Sequence, residues 1–139
     1  MVECKTLFYN ARKTSLCERM LKKIFLGINL ETNDISFATD KKAVKKILTD
    51  SFKECNIVFI IGGLGFGDER NIGSILSRLL KPSCVDECKK LKNDTGDDGY
   101  VVRANNQLLI LLPDEPEQIQ TIMKGAVLGY ISNIGNTRV

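Results

Sequence analysis

The chain has 139 residues, of which 43% are hydrophobic and 27% charged, and its formal net charge is +3. These values predict one soluble globular domain over residues 1–139 and exclude a disordered chain. The basic residues are spread over predicted helices without interleaved aromatic residues, so we expect no nucleic-acid partner. No apolar run approaches the roughly 18 residues of a membrane span, and no secretion signal is visible. We therefore expect a cytoplasmic protein without a membrane partner.

A strand and an amphipathic helix are predicted at the start of the chain. The strand is CKTLFY, residues 4–9. Ser15 and Glu18 have the spacing of a capping box that opens the helix, and Gly27 ends it. The inward stripe of this helix is predicted to comprise Leu16, Met20, Leu21, Ile24 and Phe25.

The same pattern then repeats. DISFAT (34–39) predicts a second strand, and Asp40 caps a helix that runs to about Glu54. NIVFII (56–61) is continuously apolar, as expected of a central parallel strand that is covered on both faces. The apolar sides of the two neighbouring helices are predicted to comprise Val44, Ile47, Leu48 and Phe52, and Ile72, Ile75, Leu76, Leu79 and Leu80. The alternation of strands and helices predicts a parallel sheet with right-handed crossovers.

The second half of the chain differs in character. Residues 81–99 are polar and rich in turn residues, and they predict a surface excursion. YVVRA and QLLILL flank Asn105-Asn106, which predicts a hairpin because asparagine tolerates the positive φ of a tight turn. Pro113 and Pro116 bracket a bend. A single closing helix is predicted to follow, with Ile119, Ile122, Met123, Ala126, Val127 and Tyr130 on one side.

The cysteine and histidine counts restrict the chemistry. There are five cysteines without repeating spacing and no histidine. Cys4, Cys17 and Cys55 lie in apolar-patterned segments and predict small, reduced core residues. Cys84 and Cys88 would share a face of a helix, but zinc needs two further ligands, so we expect neither zinc nor haem. The missing imidazole also excludes Ser-His-Asp and Cys-His catalysis.

The stretch IIGGLGFGDERN carries four glycines in six residues, 62–67, directly after a predicted buried strand. Glycine lets backbone amides approach a ligand closely, and the following helix would direct its positive end towards the loop. In open α/β sheets ligands lie beyond the carboxyl ends of the strands, so the glycine loop and the Pro113 bend predict one anion site. The alternative is that the glycines only make a tight turn. The loop is not a Walker loop and does not fit the dinucleotide fingerprint, because Asp68 or Arg70 stands where the third glycine belongs.

This stretch resembles the Gly-Gly-(Thr/Leu)-Gly signature of the molybdopterin-binding domain superfamily, which includes MogA, MoaB and the N-terminal domain of CinA; the Leu64 variant looks most like CinA. DTGDDGYVV (94–102) is similar to that superfamily's Gly-Thr-Ala-Pro-Gly segment, and LLPDEPEQI (111–119) to its Leu-Pro-Gly-x-Pro-x-Glu loop. The resemblance implies a three-layer α/β sandwich with a mostly parallel central sheet plus a β-hairpin. It also implies a homo-oligomer that binds a small-molecule phosphate ligand, molybdopterin or a nucleotide. The binding residues that it implies are Gly62, Gly63, Leu64, Gly65, Gly67, Arg70, Pro113, Asp114 and Pro116.

Three positions depart from the superfamily's pattern. The Gly-(Asp/Thr)-Glu loop after its first strand has no counterpart in LFYNARKTSLCERM. Arg70 stands at the acidic position that serves metal-assisted chemistry, and Asp114 replaces the glycine of the Leu-Pro-Gly loop. Asp68 or Glu69 would then be the catalytic and Mg²⁺-holding residue, if Mg²⁺ is bound. The alternative for this segment is that Asp68 caps the helix, Glu69 complements its dipole and Arg70 is solvated.

Two functional hypotheses follow from the resemblance. The favoured one is a molybdopterin-binding-like domain that binds a pterin or nucleotide phosphate with weak or lost catalysis, Arg70 having replaced the metal by direct contact. The other is an active Mg²⁺-dependent nucleotidyl transferase or ADP-ribose pyrophosphatase-type enzyme of the MogA and CinA kind, with a role in molybdenum cofactor biosynthesis.

Overall fold

The structure is a computed structural model that describes residues 2–81, 84–125 and 127–137, apart from the side chains of Asn33 and of residues 133–137. The strands are β1 (Val2–Tyr9), β2 (Leu30–Ala38), β3 (Ile57–Ile61), β4 (Glu87–Leu91), β5 (Gly99–Ala104) and β6 (Gln107–Leu112). The helices are α1 (Thr14–Gly27), α2 (Lys41–Glu54), α3 (Ile72–Leu79), α4 (Pro116–Met123) and α5 (Val127–Thr137). No helix within the described ranges combines the length and apolar character that a bilayer crossing requires.

The strands form one sheet in the order β2-β1-β3-β6-β5-β4. The first four strands in this order are parallel, and β5 runs antiparallel to both of its neighbours. Every residue of β3 is buried, which confirms the prediction of a central parallel strand. The register pairs Phe8 with Ile61 and Ile61 with Leu112. The loops after β1, β3 and β6 therefore start at the same level of one sheet edge.

Helices cover both faces of the sheet, because alternate strand residues point to opposite sides. On one face α1, α4 and α5 pack over a cluster that includes Phe8, Phe59 and Ile110. On the other face α2 and α3 pack over a second cluster that includes Ile60 and Leu111. This arrangement confirms the predicted three-layer α/β sandwich with a mostly parallel sheet and a hairpin.

The two predicted helix starts have different outcomes. The Asp40 carboxylate accepts a hydrogen bond from the Ala43 N–H (2.8 Å), which confirms the cap of α2. The capping box of α1 is wrong: Lys13 is the N-cap residue, in left-handed conformation (φ 53°), and makes no side-chain cap bond. The Lys13 ammonium instead pairs with Glu115 (2.6 Å) in the loop after β6.

The buried face of α1 is rotated from the predicted stripe. Cys17, Leu21 and Phe25 are the buried residues, spaced four apart. Leu16 is 50% exposed, so its place in the predicted stripe is wrong. Cys17 fills the corresponding position in the core, as expected of a small apolar residue.

The predicted surface excursion over residues 81–99 contains a strand, which corrects that prediction. β4 forms the edge of the sheet and pairs antiparallel with β5 from Glu87 to Leu91. Only Leu91 of this strand is buried, so its sequence lacks the apolar alternation that identifies a strand. Cys88 consequently lies on an exposed strand and not on a helix, and Cys84 is exposed as well.

The hairpin prediction is confirmed, and the closing-helix prediction is corrected. Asn105 has φ 56° in the turn between β5 and β6. The chain after Pro116 forms two helices, because a turn at Lys124 and Gly125 separates α4 from α5. Ala126 of the predicted stripe lies outside the described residues. The buried residues on these helices include Ile119, Ile122, Met123 and Val127, as predicted.

The end of β3 approaches β1 very closely. Gly62 and Gly63 have positive φ values of 100° and 77°. A Cβ atom on Gly62 would stand 2.5 Å from the Tyr9 carbonyl oxygen, and one on Gly63 would stand 2.4 Å from the Tyr9 ring. Only glycine satisfies both the backbone conformation and this packing. These two glycines are therefore required by the turn itself, with or without a ligand.

Gly62→Ala is expected to destabilise the protein by about 1–3 kcal/mol from the left-handed backbone alone, and further through the clash with Tyr9. Gly67→Ala is the matched control, since its φ is not in the left-handed range and its Cβ would meet nothing within 4 Å. We expect it to change stability by no more than about 0.5 kcal/mol. Urea denaturation measures both, and equal stability of the two variants would contradict this account of the turn.

The cysteines are expected to separate into two reactive and three protected thiols. Burial raises the pKa of Cys4 to about 12 and that of Cys17 to about 11, and it also raises the pKa of Cys55. These thiols stay protonated and shielded at pH 8. Titration with a disulfide reagent should count the two exposed cysteines in native protein and all five after denaturation. The Cys84→Ser, Cys88→Ser double variant should show no rapid reaction, and a rapid third thiol in native protein would contradict the core assignment.

Candidate functional site

A cavity of about 340 Å³ lies at the sheet edge where β1, β3 and β6 end. The parallel register places the residues after these three strands side by side. Its lining comes from four loops and comprises Asn10, Arg12, Gly62, Gly63, Leu64, Gly65, Phe66, Asp97, Pro113 and Asp114. The glycine loop and the Pro113 bend thus converge on one hollow.

The predicted site residues fall into two groups. Six of them line the cavity: Gly62, Gly63, Leu64, Gly65, Pro113 and Asp114. Five of them do not belong to its lining: Gly67, Asp68, Glu69, Arg70 and Pro116. Pro116 lies in a separate hollow between α1 and α4, together with Lys13 and Arg19. The binding roles of all these residues remain predictions.

Backbone amides of the glycine loop are available to a ligand. The Gly62 N–H donates to the Leu112 carbonyl (3.0 Å), which fastens the loop to β6. The four amides from Gly63 to Phe66 donate to no acceptor among the described residues. A run of unpaired amides lining a hollow is the arrangement that binds anions.

Asn71 holds the carbonyl side of the same loop. Its side-chain amide donates to the carbonyl oxygens of Leu64 (3.2 Å) and Phe66 (2.8 Å), and its side-chain oxygen accepts from the Gly73 N–H (2.8 Å). Asn71 is therefore the N-cap of α3, and the alternative that Asp68 caps this helix is wrong. The Ile72 N–H donates to the Gly63 carbonyl (2.9 Å). The first amides of α3 are thus used within the loop.

Arg70 and Asp68 are occupied with each other. The Arg70 guanidinium donates from Nε to Oδ1 (3.0 Å) and from Nη2 to Oδ2 (2.8 Å) of the Asp68 carboxylate. This pairing lowers the pKa of Asp68 and raises the pKa of Arg70. The guanidinium carbon also lies 4.4 Å from the centroid of the Phe66 ring. Exposed ion pairs stabilise a fold little. The main consequence of this one is the position of the Phe66 side chain.

Tyr9 connects β1 to the far end of the loop. Its ring is buried, and its hydroxyl donates to the Arg70 carbonyl oxygen (2.7 Å). Burial raises the pKa of this phenol, so the donor proton is retained at neutral pH. The ring also meets Phe66 edge-on, with 6.4 Å between the centroids.

Two consecutive ion pairs join the loop after β1 to the loop after β6. Arg12 donates from its backbone N–H (2.8 Å) and from Nε (3.3 Å) to Oδ2 of Asp114. The next residue, Lys13, donates from Nζ to Oε1 of Glu115 (2.6 Å). The Asp114 carboxylate raises the pKa of Arg12. Asp114 therefore holds Arg12 in place, and both residues line the cavity.

Two of the four acidic side chains at and beside the cavity are paired with arginines. Asp97 and Asp114 are the carboxylates that line it, and Asp114 already accepts from Arg12. Asp68 is paired with Arg70, and Glu69 lies outside the lining. Within the residues that the structure describes, no group of three or more His, Cys, Asp or Glu side chains is placed to hold a metal ion.

Four lining residues were not predicted from the sequence. Asn10 and Arg12 follow β1, and the carboxyl-end rule that identified the glycine loop would have identified them as well. Asp97 lies in the 94–102 segment, whose family motif was recognised but whose residues were not assigned to the site. Phe66 carries no such signal, because a single aromatic residue between glycines is not distinctive.

No protein-family model matches the sequence, and no curated protein matches it. Solved structures do resemble the fold. A CinA protein from Thermoplasma acidophilum, described as of unknown function, has a TM-score of 0.70 and 11% identity, covering 92% of this chain and 97% of that chain. The molybdopterin biosynthesis enzyme MoaB from Thermus thermophilus has a TM-score of 0.71 and 13% identity, covering 91% and 90%.

A third structure agrees with these two. The molybdopterin biosynthesis Mog protein from Mycobacterium ulcerans has a TM-score of 0.68 and 12% identity, and the match covers 97% of each chain. At such low identity the likeness concerns the backbone arrangement. The chain therefore has the α/β fold that the CinA, MoaB and Mog structures share, as its sequence motifs predict.

Proposed function

We propose that this chain binds an anionic pterin or nucleotide phosphate in the cavity at the glycine loop, with weak or absent catalysis. The observation that carries this proposal is the run of four amides, Gly63 to Phe66, which have no acceptor among the described residues and lie in the wall of a cavity that Arg12 also lines. Amide donors and a guanidinium are the groups that recognise phosphate oxygens.

The size of the cavity supports a ligand of modest length. Its volume of about 340 Å³ lies at the lower end of the roughly 300–1,000 Å³ of small-molecule sites. This volume suits one phosphate and one ring system better than a dinucleotide. The similarity of the fold to proteins described as molybdopterin biosynthesis enzymes supports a pterin as one such ligand.

Weak or absent catalysis follows from the state of the acidic groups. Metal-assisted phosphate chemistry needs carboxylates that are free to coordinate the ion. Asp68 and Asp114 instead accept hydrogen bonds from Arg70 and Arg12. In this proposal the positive charge near the ligand comes from an arginine and not from a bound metal ion.

The alternative is a Mg²⁺-dependent nucleotidyl transferase or pyrophosphatase. It is favoured by one observation, the presence of two carboxylates, Asp97 and Asp114, in the lining. Asp114 would have to release Arg12 before it reached a metal. Titration of ATP and ADP-ribose with and without Mg²⁺ separates the two proposals. Tighter binding with Mg²⁺ and the appearance of product over time would favour the enzyme.

Gly65→Val is expected to weaken binding of ATP, ADP-ribose and a pterin phosphate by about tenfold or more, because its side chain would enter the cavity. A Cβ atom here would stand 3.3 Å from the Asp97 carboxylate across the hollow, and no left-handed φ prevents the substitution. Gly67→Val is the matched control in the same loop, since its Cβ meets open space outside the lining. Calorimetric titration measures both variants, and equal affinities would remove the glycine loop from the site.

Arg12→Gln is expected to weaken phosphate binding about three- to tenfold and to reduce its dependence on salt concentration, because a charge-assisted hydrogen bond is lost. Lys13→Gln is the matched control. It removes the neighbouring ion pair with Glu115, but Lys13 does not line the cavity. The measurement is calorimetric titration at low and high salt. An equal effect of the two substitutions would show that the interaction is only with the general charge of the surface.

A further inference from the structure

Phe66 is the one aromatic side chain among the described residues that line the cavity. It lies between two of the glycines and is only partly buried. The rest of the lining is polar, charged or glycine apart from Leu64 and Pro113. Phe66 therefore places an aromatic side chain in the same cavity wall as the amides of the glycine loop.

The Phe66 ring is held on two sides. The Arg70 guanidinium lies 4.4 Å from its centroid, and the Tyr9 ring meets it edge-on at 6.4 Å. The backbone is fixed too, because Asn71 donates to the Phe66 carbonyl oxygen (2.8 Å). A ring that is fixed before a ligand arrives loses little entropy when it forms a contact.

The charge of Arg70 serves this arrangement. The Asp68 carboxylate neutralises the guanidinium through forked hydrogen bonds, and Arg70 is not part of the cavity lining. Its contact with the ligand phosphate is therefore indirect at most in this conformation. Its direct contact is with the face of an aromatic ring, the position that a cation favours.

We propose that Phe66 is the specificity-determining residue of the cavity, and that its ring packs against a planar heteroaromatic ring of the ligand while the loop amides hold the phosphate. Arg70 is the positioning residue for that ring. This inference rests on the proposed function and adds a ligand preference to it. Phosphates that carry a purine-like or pterin-like ring should bind more tightly than sugar phosphates, because stacking of such a ring on an aromatic side chain is favourable and a sugar phosphate has no ring system to stack.

The test compares GMP, AMP and ribose 5-phosphate by calorimetric titration on the full chain. Native protein should bind the two nucleotides about tenfold or more tighter than ribose 5-phosphate. Phe66→Leu should remove most of that preference and leave ribose 5-phosphate within about twofold. Phe52→Leu is the matched control, because Phe52 is a partly buried phenylalanine packed on the same core cluster outside the cavity lining.

The positioning role of Arg70 is tested by the same preference for nucleotides over ribose 5-phosphate. Arg70→Gln should lower the ratio of nucleotide to ribose 5-phosphate affinity severalfold, and Arg70→Lys should restore part of it, since an ammonium also interacts with a ring face. An equal loss for nucleotides and ribose 5-phosphate in Arg70→Gln would mean direct phosphate contact and would overturn the positioning role.

The outcomes separate the two proposals. If ribose 5-phosphate binds but nucleotides bind no better, or if Phe66→Leu weakens all three ligands equally, the role of Phe66 is refuted and the phosphate site remains. If native protein binds neither nucleotides, ribose 5-phosphate nor a pterin phosphate, the proposed function itself is refuted, and the inference about Phe66 is refuted with it.

Discussion

The cavity depends on the contact between Tyr9 at the end of β1 and the two glycines at the end of β3. The Tyr9 ring and carbonyl occupy the space where the Cβ atoms of Gly62 and Gly63 would stand. The same side chain donates to the Arg70 carbonyl at the other end of the loop. One buried residue therefore fixes both ends of the glycine loop, and the loop amides are arranged by the neighbouring strand before any ligand binds.

The second constraint is the pair of ion pairs between the loops after β1 and β6. Exposed ion pairs add little to stability, so their value lies in geometry. The pair between Arg12 and Asp114 fixes where a guanidinium stands relative to the glycine loop. The Asp114 side chain thus gives the loop after β6 a role in orienting the Arg12 side chain.

The elements that could be predicted are those whose signals are local. β3 is a continuous apolar run, α2 has its cap at Asp40, and the hairpin has an asparagine turn, so each is legible in a few residues. β4 was missed because an edge strand with exposed side chains carries no apolar alternation. The start of α1 also differs from the prediction, because its N-cap residue Lys13 has left-handed backbone and makes no side-chain cap bond, so no capping motif marks it in the sequence. The choice between Asp68 and Asn71 as the cap of α3 depends on which side chain the folded loop brings to the helix.

The sequence alone also could not predict which arginine lines the cavity. The resemblance of the glycine loop to the superfamily's motif implied that Arg70 contacts the phosphate directly. In the structure the Arg70 charge is already compensated by Asp68, two residues before it. Arg12, in the loop after β1, lines the cavity instead. Arg12 also has a carboxylate partner, but that partner lines the same hollow. In the proposed function a phosphate would contact the Arg12 side chain and would compete with Asp114 for its N–H donors. Such a site would bind an anion through an arginine that already has a carboxylate partner, and it would supply positive charge without the Lewis acidity of a metal ion.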